Sequence, residues 1–434
     1  MIRHSPASKA VPRKTMRRLR EALAAQDCDD VFPELALTLY AFLAALHREL
    51  PSQDRHVCFL SREGQPLMRL YELYRPDQVG PQPRYLEVSR RATLLPSLGP
   101  LATEEFHTLF RQYRAISMFE FLSSLGLEAH LRSIAEMLGT TEEHLRIRLP
   151  DLPTDALFAK LRGCPDFERL YEEERCSRRE AFLAYVRRLH DGNIPPVLSL
   201  VDVGWKGTIQ DNLHALCKSA DTPIGEVVGR YVGLVAAGHV AATNGKRGLV
   251  FSCINGVTPF YRTFNENRAL FEILLAADHG SVTNYRHEAG RQAEPVRGAF
   301  DEESMVQEVV MPVQRRLVAR FREVCQLLTP IPMNHAPLLA LAAGFHARMV
   351  FRPRRSELDW FSAVFHVENY GVFERSEFIH RSPEAGLRDR LAFVARLRKR
   401  ATWPDLGFWP YKTIRDRGGA WAAGVYGRLR ELQG

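Results

Sequence analysis

Short apolar runs alternate along this chain with longer stretches in which apolar residues recur three and four apart. Residues 57–60 (VCFL), 84–88 (RYLEV), 198–203 (LSLVDV) and 227–237 (VVGRYVGLVAA) have the length and continuity of buried strands. Helices are predicted over 32–50, opened by Pro33, over 66–74 (PLMRLYELY) and over 269–277 (ALFEILLAA). From about 103 to 190 the period is helical throughout, in MFEFLSSLG, AHLRSIAEMLG and RREAFLAYVRRLH. Residues 286–303 are polar, with Pro295 and glycines, which predicts an exposed connection; everything beyond them is predicted helical. Strands separated by helices predict an α/β fold on a parallel sheet, with 57–60, 85–88 and 198–203 as parallel neighbours. The chain then divides into a basic tail and helix (1–55), an α/β domain (56–285) with a helical insertion at 103–190, and a helical C-terminal region (286–434).

Three of the strands run into polar turns. The first gives Ser61-Arg62-Glu63-Gly64 and the second Ser89-Arg90-Arg91. The third ends on Asp202, and Gly204-Trp205-Lys206-Gly207-Thr208 then opens a helix. Ligands of parallel sheets bind at the carboxyl ends of the strands, so the three turns are expected on one rim. Arginines, a lysine, hydroxyls and glycine amides at a helix start make an anion site. Asp202 is the odd member, because a buried carboxylate without a partner is costly. Together with Glu63 it implies a hydroxyl-bearing ligand, or a metal that travels with phosphates. Plainer readings exist for each turn: SREG as a Ser-capped helix start, SRR as a solvated face, and Asp202 as a turn cap beside a core Trp205. Repetition of one chemistry after three strands favours the site.

Composition narrows the class. At 434 residues, 45% hydrophobic and 25% charged, the chain has ample material for a core. A formal charge of +8 points to anionic partners without choosing among them. Seven cysteines without a C-x-x-C pair argue against a disulfide framework or zinc knuckle and for a reducing cytoplasm. The longest apolar candidate, LALTLYAFLAALH, is too short to span a membrane and reads as a buried helix. The first twenty residues carry seven Lys/Arg and no acid, with no apolar segment following, so a solvated basic tail is expected rather than a secretion signal.

The third turn resembles the phosphate loop of phosphoribosyltransferases, where a strand ending in acid precedes a small-residue loop and a Thr at a helix start. That resemblance implies a phosphoribosyltransferase-like, Rossmann-like core. Asp202 would meet ribose hydroxyls, Gly204 to Thr208 the 5-phosphate, and Ser61, Arg62 and Gly64 the diphosphate. The usual adjacent pair of acids is absent and Trp205-Lys206 is foreign to that loop, which removes the ordinary nucleotide-synthesis enzymes. CFLSREG, EVSRRATLLP, LVDVGWKGTIQ and FEILLAADHGSV more closely resemble the glycan phosphoribosyltransferase domains of bacterial polysaccharide ribofuranosyltransferases, a group often labelled HAD-like hydrolases. The likeness covers residues 57–282, with Glu63 in place of the commoner Asp. It implies transfer of 5-phosphoribose from phosphoribosyl diphosphate to a glycan, lipid-linked or free, with magnesium carried on the diphosphate and shared with Asp202. It also implies a separate phosphatase, because no D-x-D-x-[TV] nucleophile follows any strand here.

Displacing diphosphate from C1 passes through a cationic transition state, so the catalyst must hold the departing charge and tolerate a positive ring. Arg62 and Arg90 or Arg91, with Ser89, are the candidates for the diphosphate, and Lys206 joins the loop amides on the 5-phosphate. Glu63 is the first candidate base and Glu272 the second, with Glu272, His279, Ser281 and Trp409 placed toward the acceptor. The C-terminal stretch combines basic residues with Phe393, Trp403, Phe408, Trp409, Tyr411 and Trp421. It reads either as a packed helix or as a platform for glycan rings or the cytoplasmic membrane face. Two other classes stay open. A HAD-type phosphatase lacks an aspartyl nucleophile here. A non-catalytic anion- or nucleic-acid-binding protein rests on charge alone, and the sheet region lacks interleaved stacking aromatics, so nucleic acid is disfavoured.

Overall fold

The computed structural model describes residues 11–51, 54–75, 79–111, 113–220, 222–286, 292–369, 373–377, 386–397 and 406–433, with backbone alone for 365–369 and 373–377. Helix α1 (Arg13–Ala22) leads to α2 (Leu35–Glu49), twelve of whose fifteen residues are buried, as expected of a helix apolar on every side. The solvated-tail expectation is corrected from Arg13 onward: Leu19 and Ala22 are buried and α1 packs on a later helix, while residues 1–10 lie outside the described residues.

The α/β unit follows in order: β1 (His56–Leu60), α3 (Gly64–Tyr74), β2 (Gln82–Leu86), α4 (Arg90–Ser97), then the insertion from α5 (His107–Phe110) through short helices to α6 (Pro165–Leu189). β3 (Val197–Asp202), α7 (Thr208–Ser219), β4 (Glu226–Leu234) and β5 (Asn244–Ser252) complete it. The five strands form one all-parallel sheet in the order β2-β1-β3-β4-β5, so β1 pairs with both β2 and β3 as the sequence predicts. Beyond the sheet come α8 (Ala269–Leu274) and an antiparallel hairpin of β6 (Val282–Arg286) and β7 (Glu294–Arg297). The connection expected to be exposed after Arg286 contains β7, whose residues are exposed or half-buried, so the exposure holds and the strand is the addition. Helices α9 (Met311–Leu328) and α10 (His335–Phe351) precede a second hairpin, β8 (Phe365–Asn369) and β9 (Phe373–Glu377), which interrupts the all-helical C-terminal expectation. The chain closes with α11 (Leu387–Leu397), α12 (Pro410–Gly418) and α13 (Ala420–Leu432).

Alternation along the strands builds two cores. Val57 and Phe59 of β1, with Val201 of β3, face a layer made by α2, α8, α9, α10 and the last helices. Cys58, Leu60, Leu198 and Leu200 face the opposite way, against Leu213 and Leu216 of α7 and Phe182 and Tyr185 of α6. The insertion has its own core, where Phe106, Phe121 and Phe158 meet edge-to-face. With both faces covered, ligands of such a sheet bind at the carboxyl ends of its strands. The seven cysteines are all free, and no described helix is long and apolar enough to cross a membrane.

Candidate active site

The carboxyl ends of β1, β2 and β3 open into one cavity of about 290 Å³, lined by Ser61, Arg62, Glu63, Ser89, Arg90, Asp202, Gly204 to Ile209, Glu272 and Ser281 among others. Arg62 and Asp202 therefore share a rim, as the strand order requires.

The loop after β3 can be built only with glycine at its first turn. Gly204 has φ +136°, and a Cβ there would lie 2.1 Å from the carbonyl oxygen of Gly233. Gly207, at φ +69°, precedes Thr208 at the start of α7. Lys246 of β5 braces the loop from behind. Its buried ammonium donates to the Lys206 and Ala237 carbonyls, each at 3.1 Å, and pairs with Asp211 at 2.6 Å. Gln210 ties the same helix start to β4 and β5 by donating to Val227 and Gly245 carbonyls and Asn244 Oδ1. The amides of residues 204–208 donate to no described carbonyl or side chain, and Lys206 is exposed. They are the donors a phosphate needs. Gly204→Ala is expected to destabilise the chain by on the order of 1–3 kcal/mol from backbone conformation alone. Denaturant unfolding measures it; an unchanged midpoint would count against this account of the loop.

Asp202 is 8% exposed, and its one described hydrogen bond is from the Val203 amide to Oδ1, 2.8 Å. Burial first, then the charges of Glu63 and Glu272, push its carboxyl well above the ordinary range, against the Val203 amide and Arg90. It is a carboxylate short of a cation. Among the described residues no cluster of three or more metal-ligating side chains exists. Magnesium is commonly held by one or two carboxylates plus substrate phosphates, and Asp202 is the buried carboxylate this cavity offers for it.

The other two turns divide into ligand-facing and structural members. Ser61 Oγ donates to the Val88 carbonyl at 2.5 Å and accepts the Val88 amide at 2.9 Å, so its hydroxyl proton clips β1 to the end of β2. Ser89 Oγ accepts from the Ala92 amide, capping α4, and donates to the Val282 carbonyl. Both serines line the cavity, with their hydroxyl protons on backbone carbonyls. Gly64 is structural: it packs on Phe59, where a Cβ would lie 2.7 Å from the backbone, and it does not line the cavity. Arg91 turns away to Glu128 of the insertion, which leaves Arg90 as the arginine of that turn at the cavity. Arg62 lines the cavity while its guanidinium, 9% exposed, is bonded to Glu302 and lies 5.8 Å from the Phe300 ring centroid. The Ser61–Arg62 and Gly204–Trp205 peptides are both cis.

Trp205 stacks on Phe251 and donates through Nε1 to Glu272 Oε1 at 2.7 Å. Arg268 lies 5.6 Å from its ring centroid, on the cavity side. His279 lies outside the lining, held by Tyr85 Oη at 2.8 Å, and burial lowers its pKa. Trp409 is corrected outright: it is 1% exposed, packs edge-on against Phe361, and donates to the Val350 carbonyl, so it is core. Trp403 lies outside the described residues.

Sequence reasoning missed Thr108, Arg111, Arg268, Glu302 and Lys246. The first two arrive from the insertion, and no local pattern announces any of the five. Five cations (Arg62, Arg90, Arg111, Lys206, Arg268) face three carboxylates (Glu63, Asp202, Glu272) around the cavity. A wider cleft of about 1120 Å³ adjoins it across Thr108, Arg111, Lys206 and Thr208, between the insertion and α7. No known family model matches the chain, and no curated protein sequence is similar enough to count as a relative.

Proposed function

We propose that this chain transfers 5-phosphoribose from phosphoribosyl diphosphate to a hydroxyl of a glycan acceptor. The observation that carries the reading is the joint placement, around one cavity, of residues 204–208, whose amides have no described acceptor, the buried Asp202, Arg62 and Arg90. The loop amides and Lys206 take the 5-phosphate, Arg90 and Arg62 the diphosphate, and Asp202 the ribose hydroxyls. The C1–O bond to diphosphate breaks with its electron pair leaving on diphosphate. The acceptor oxygen bonds to C1, and its proton passes to a cavity carboxylate, Glu63 first and Glu272 second; one oxygen of each already accepts a hydrogen bond, Glu63 from the Arg62 amide and Glu272 from Trp205. Magnesium, when bound, offsets the diphosphate charge beside Asp202. The wider cleft past Thr108 and Arg111 gives a glycan room to approach, in place of the acceptor role first assigned to Trp409. Such an acceptor is built at the cytoplasmic membrane face, and a separate phosphatase would remove the 5-phosphate.

Phosphoribosyl diphosphate with magnesium is expected to raise the melting temperature, as any ligand selective for the folded state must. Thr208→Ala and Lys206→Ala should each weaken that shift, Lys206→Ala acting on donor affinity more than on turnover. A nucleotide-sugar that stabilises the protein while phosphoribosyl diphosphate does nothing would reject the donor. Phosphate release from simple esters would instead favour a hydrolase, against the Ser61-Arg62-Glu63 terminus of β1.

A further inference from the structure

Helix α13 packs inward through Ala422, Ala423 and Gly427, the last against Phe351 of α10. A terminal helix that buries one face ordinarily presents polar residues on the other. Here the outer face carries Trp421, Val425, Leu429 and Leu432, which are 59%, 53%, 53% and 85% exposed. At about 100° per residue, the four fall within an arc of roughly 80°. A line of large apolar side chains differs from the scattered single residues of an ordinary surface. Arg428 borders the line and is itself exposed. Arg390 of α11 reaches its first turn: a Cβ added at Gly419 would lie 3.6 Å from the Trp421 ring and 3.8 Å from the Arg390 guanidinium.

Charge selects the occupant. Residues 386–434 hold eleven Lys/Arg against four Asp/Glu, a net +7. The first twenty residues hold another +7, so with a chain total of +8 the body between the two ends is net −6. The positive charge is concentrated at the ends of the chain rather than spread over it. The described residues of that stretch, 386–397 and 406–433, hold eight Lys/Arg against three Asp/Glu, so a second copy docked through α13 would bring two +5 regions together, whereas an anionic bilayer neutralises them.

We propose that the outer face of α13 is a membrane-docking surface. The helix lies in the plane of an anionic bilayer, with Trp421, Val425, Leu429 and Leu432 at the headgroup–acyl boundary and the flanking arginines on lipid phosphates. The association is peripheral, and the donor-site reading neither supports it nor depends on it.

The full chain is sedimented with phosphatidylcholine vesicles, with and without phosphatidylglycerol. Wild type should pellet with the phosphatidylglycerol vesicles and be released by high salt. Trp421→Glu/Leu429→Glu should reduce binding by about tenfold or more with an unchanged melting temperature. Arg428→Gln, a surface change that leaves the packing intact, should weaken binding in the same direction by a smaller factor. Binding to neither vesicle, binding indifferent to the anionic lipid, or binding unchanged in the double variant overturns the proposal. A concentration-dependent dimer in light scattering, abolished by Trp421→Glu/Leu429→Glu, overturns it in favour of a second copy.

Discussion

Asp202→Asn is expected to depress phosphoribosyl transfer by two or more orders of magnitude, on the order of 3 kcal/mol, while leaving the protein more stable at neutral pH. The two halves have one cause. Asp202 is buried, faces Glu63 and Glu272, and receives one described hydrogen bond, so its ionised form is disfavoured without a cation. Its folded pKa lies above its unfolded value. The folded state therefore binds the extra proton, and stability falls as pH rises from about 4 through the folded pKa. Asparagine keeps the shape and cannot ionise, so its gain in melting temperature should be present at neutral pH and vanish on acidification toward about pH 4. On the proposed reading the same charge serves a magnesium ion or a cationic ribosyl centre, so the variant that relieves the apo protein should disable transfer. Transfer is read by the mass of a glycan acceptor, beside thermal unfolding across pH. An Asp202→Asn protein that unfolds earlier yet transfers at the wild-type rate would make Asp202 a turn residue.

How far the sequence discloses this site depends on whether a role is local. β1 and β3 are continuous apolar runs because both faces of the sheet are covered, and this made them and their turns legible. β5 was not. It lies at the sheet edge, and its first half, Asn244-Gly245-Lys246-Arg247, is polar: Asn244 bonds Gln210 and Asp211, Lys246 braces the loop after β3, and Arg247 pairs with Glu49. The β6–β7 hairpin reads as a polar connection because most of its side chains are not buried. A motif also does not say what its atoms contact. Ser61 and Ser89 stand at the expected rim, yet their hydroxyl protons go to carbonyls of Val88 and Val282. Trp409 stands among basic residues and is nonetheless core, because an aromatic ring suits either setting. Glu302 is 240 positions from Arg62, and only the fold brings them together.

That pair gives the sharpest separation of binding from folding. Arg62 and Glu302 are 9% and 4% exposed in their side chains, so removing either one takes the bonded counter-charge from a buried ion. Glu302→Ala should destabilise the apo protein by about 3–5 kcal/mol, and Arg62→Ala by a similar amount. The double variant Arg62→Met/Glu302→Gln, which leaves no charge behind, should lose much less than the sum of the two single changes. Phosphoribosyl diphosphate then distinguishes the partners. If Arg62 receives the diphosphate, the ligand supplies Glu302→Ala with a replacement anion. The donor-induced rise in melting temperature should then be larger in that variant than in wild type. Arg62→Ala has lost the receiving group, and its response should be smaller than that of wild type. Equal donor responses in the two single variants would mean that Arg62 and Glu302 form a structural pair, leaving Arg90 to hold the diphosphate.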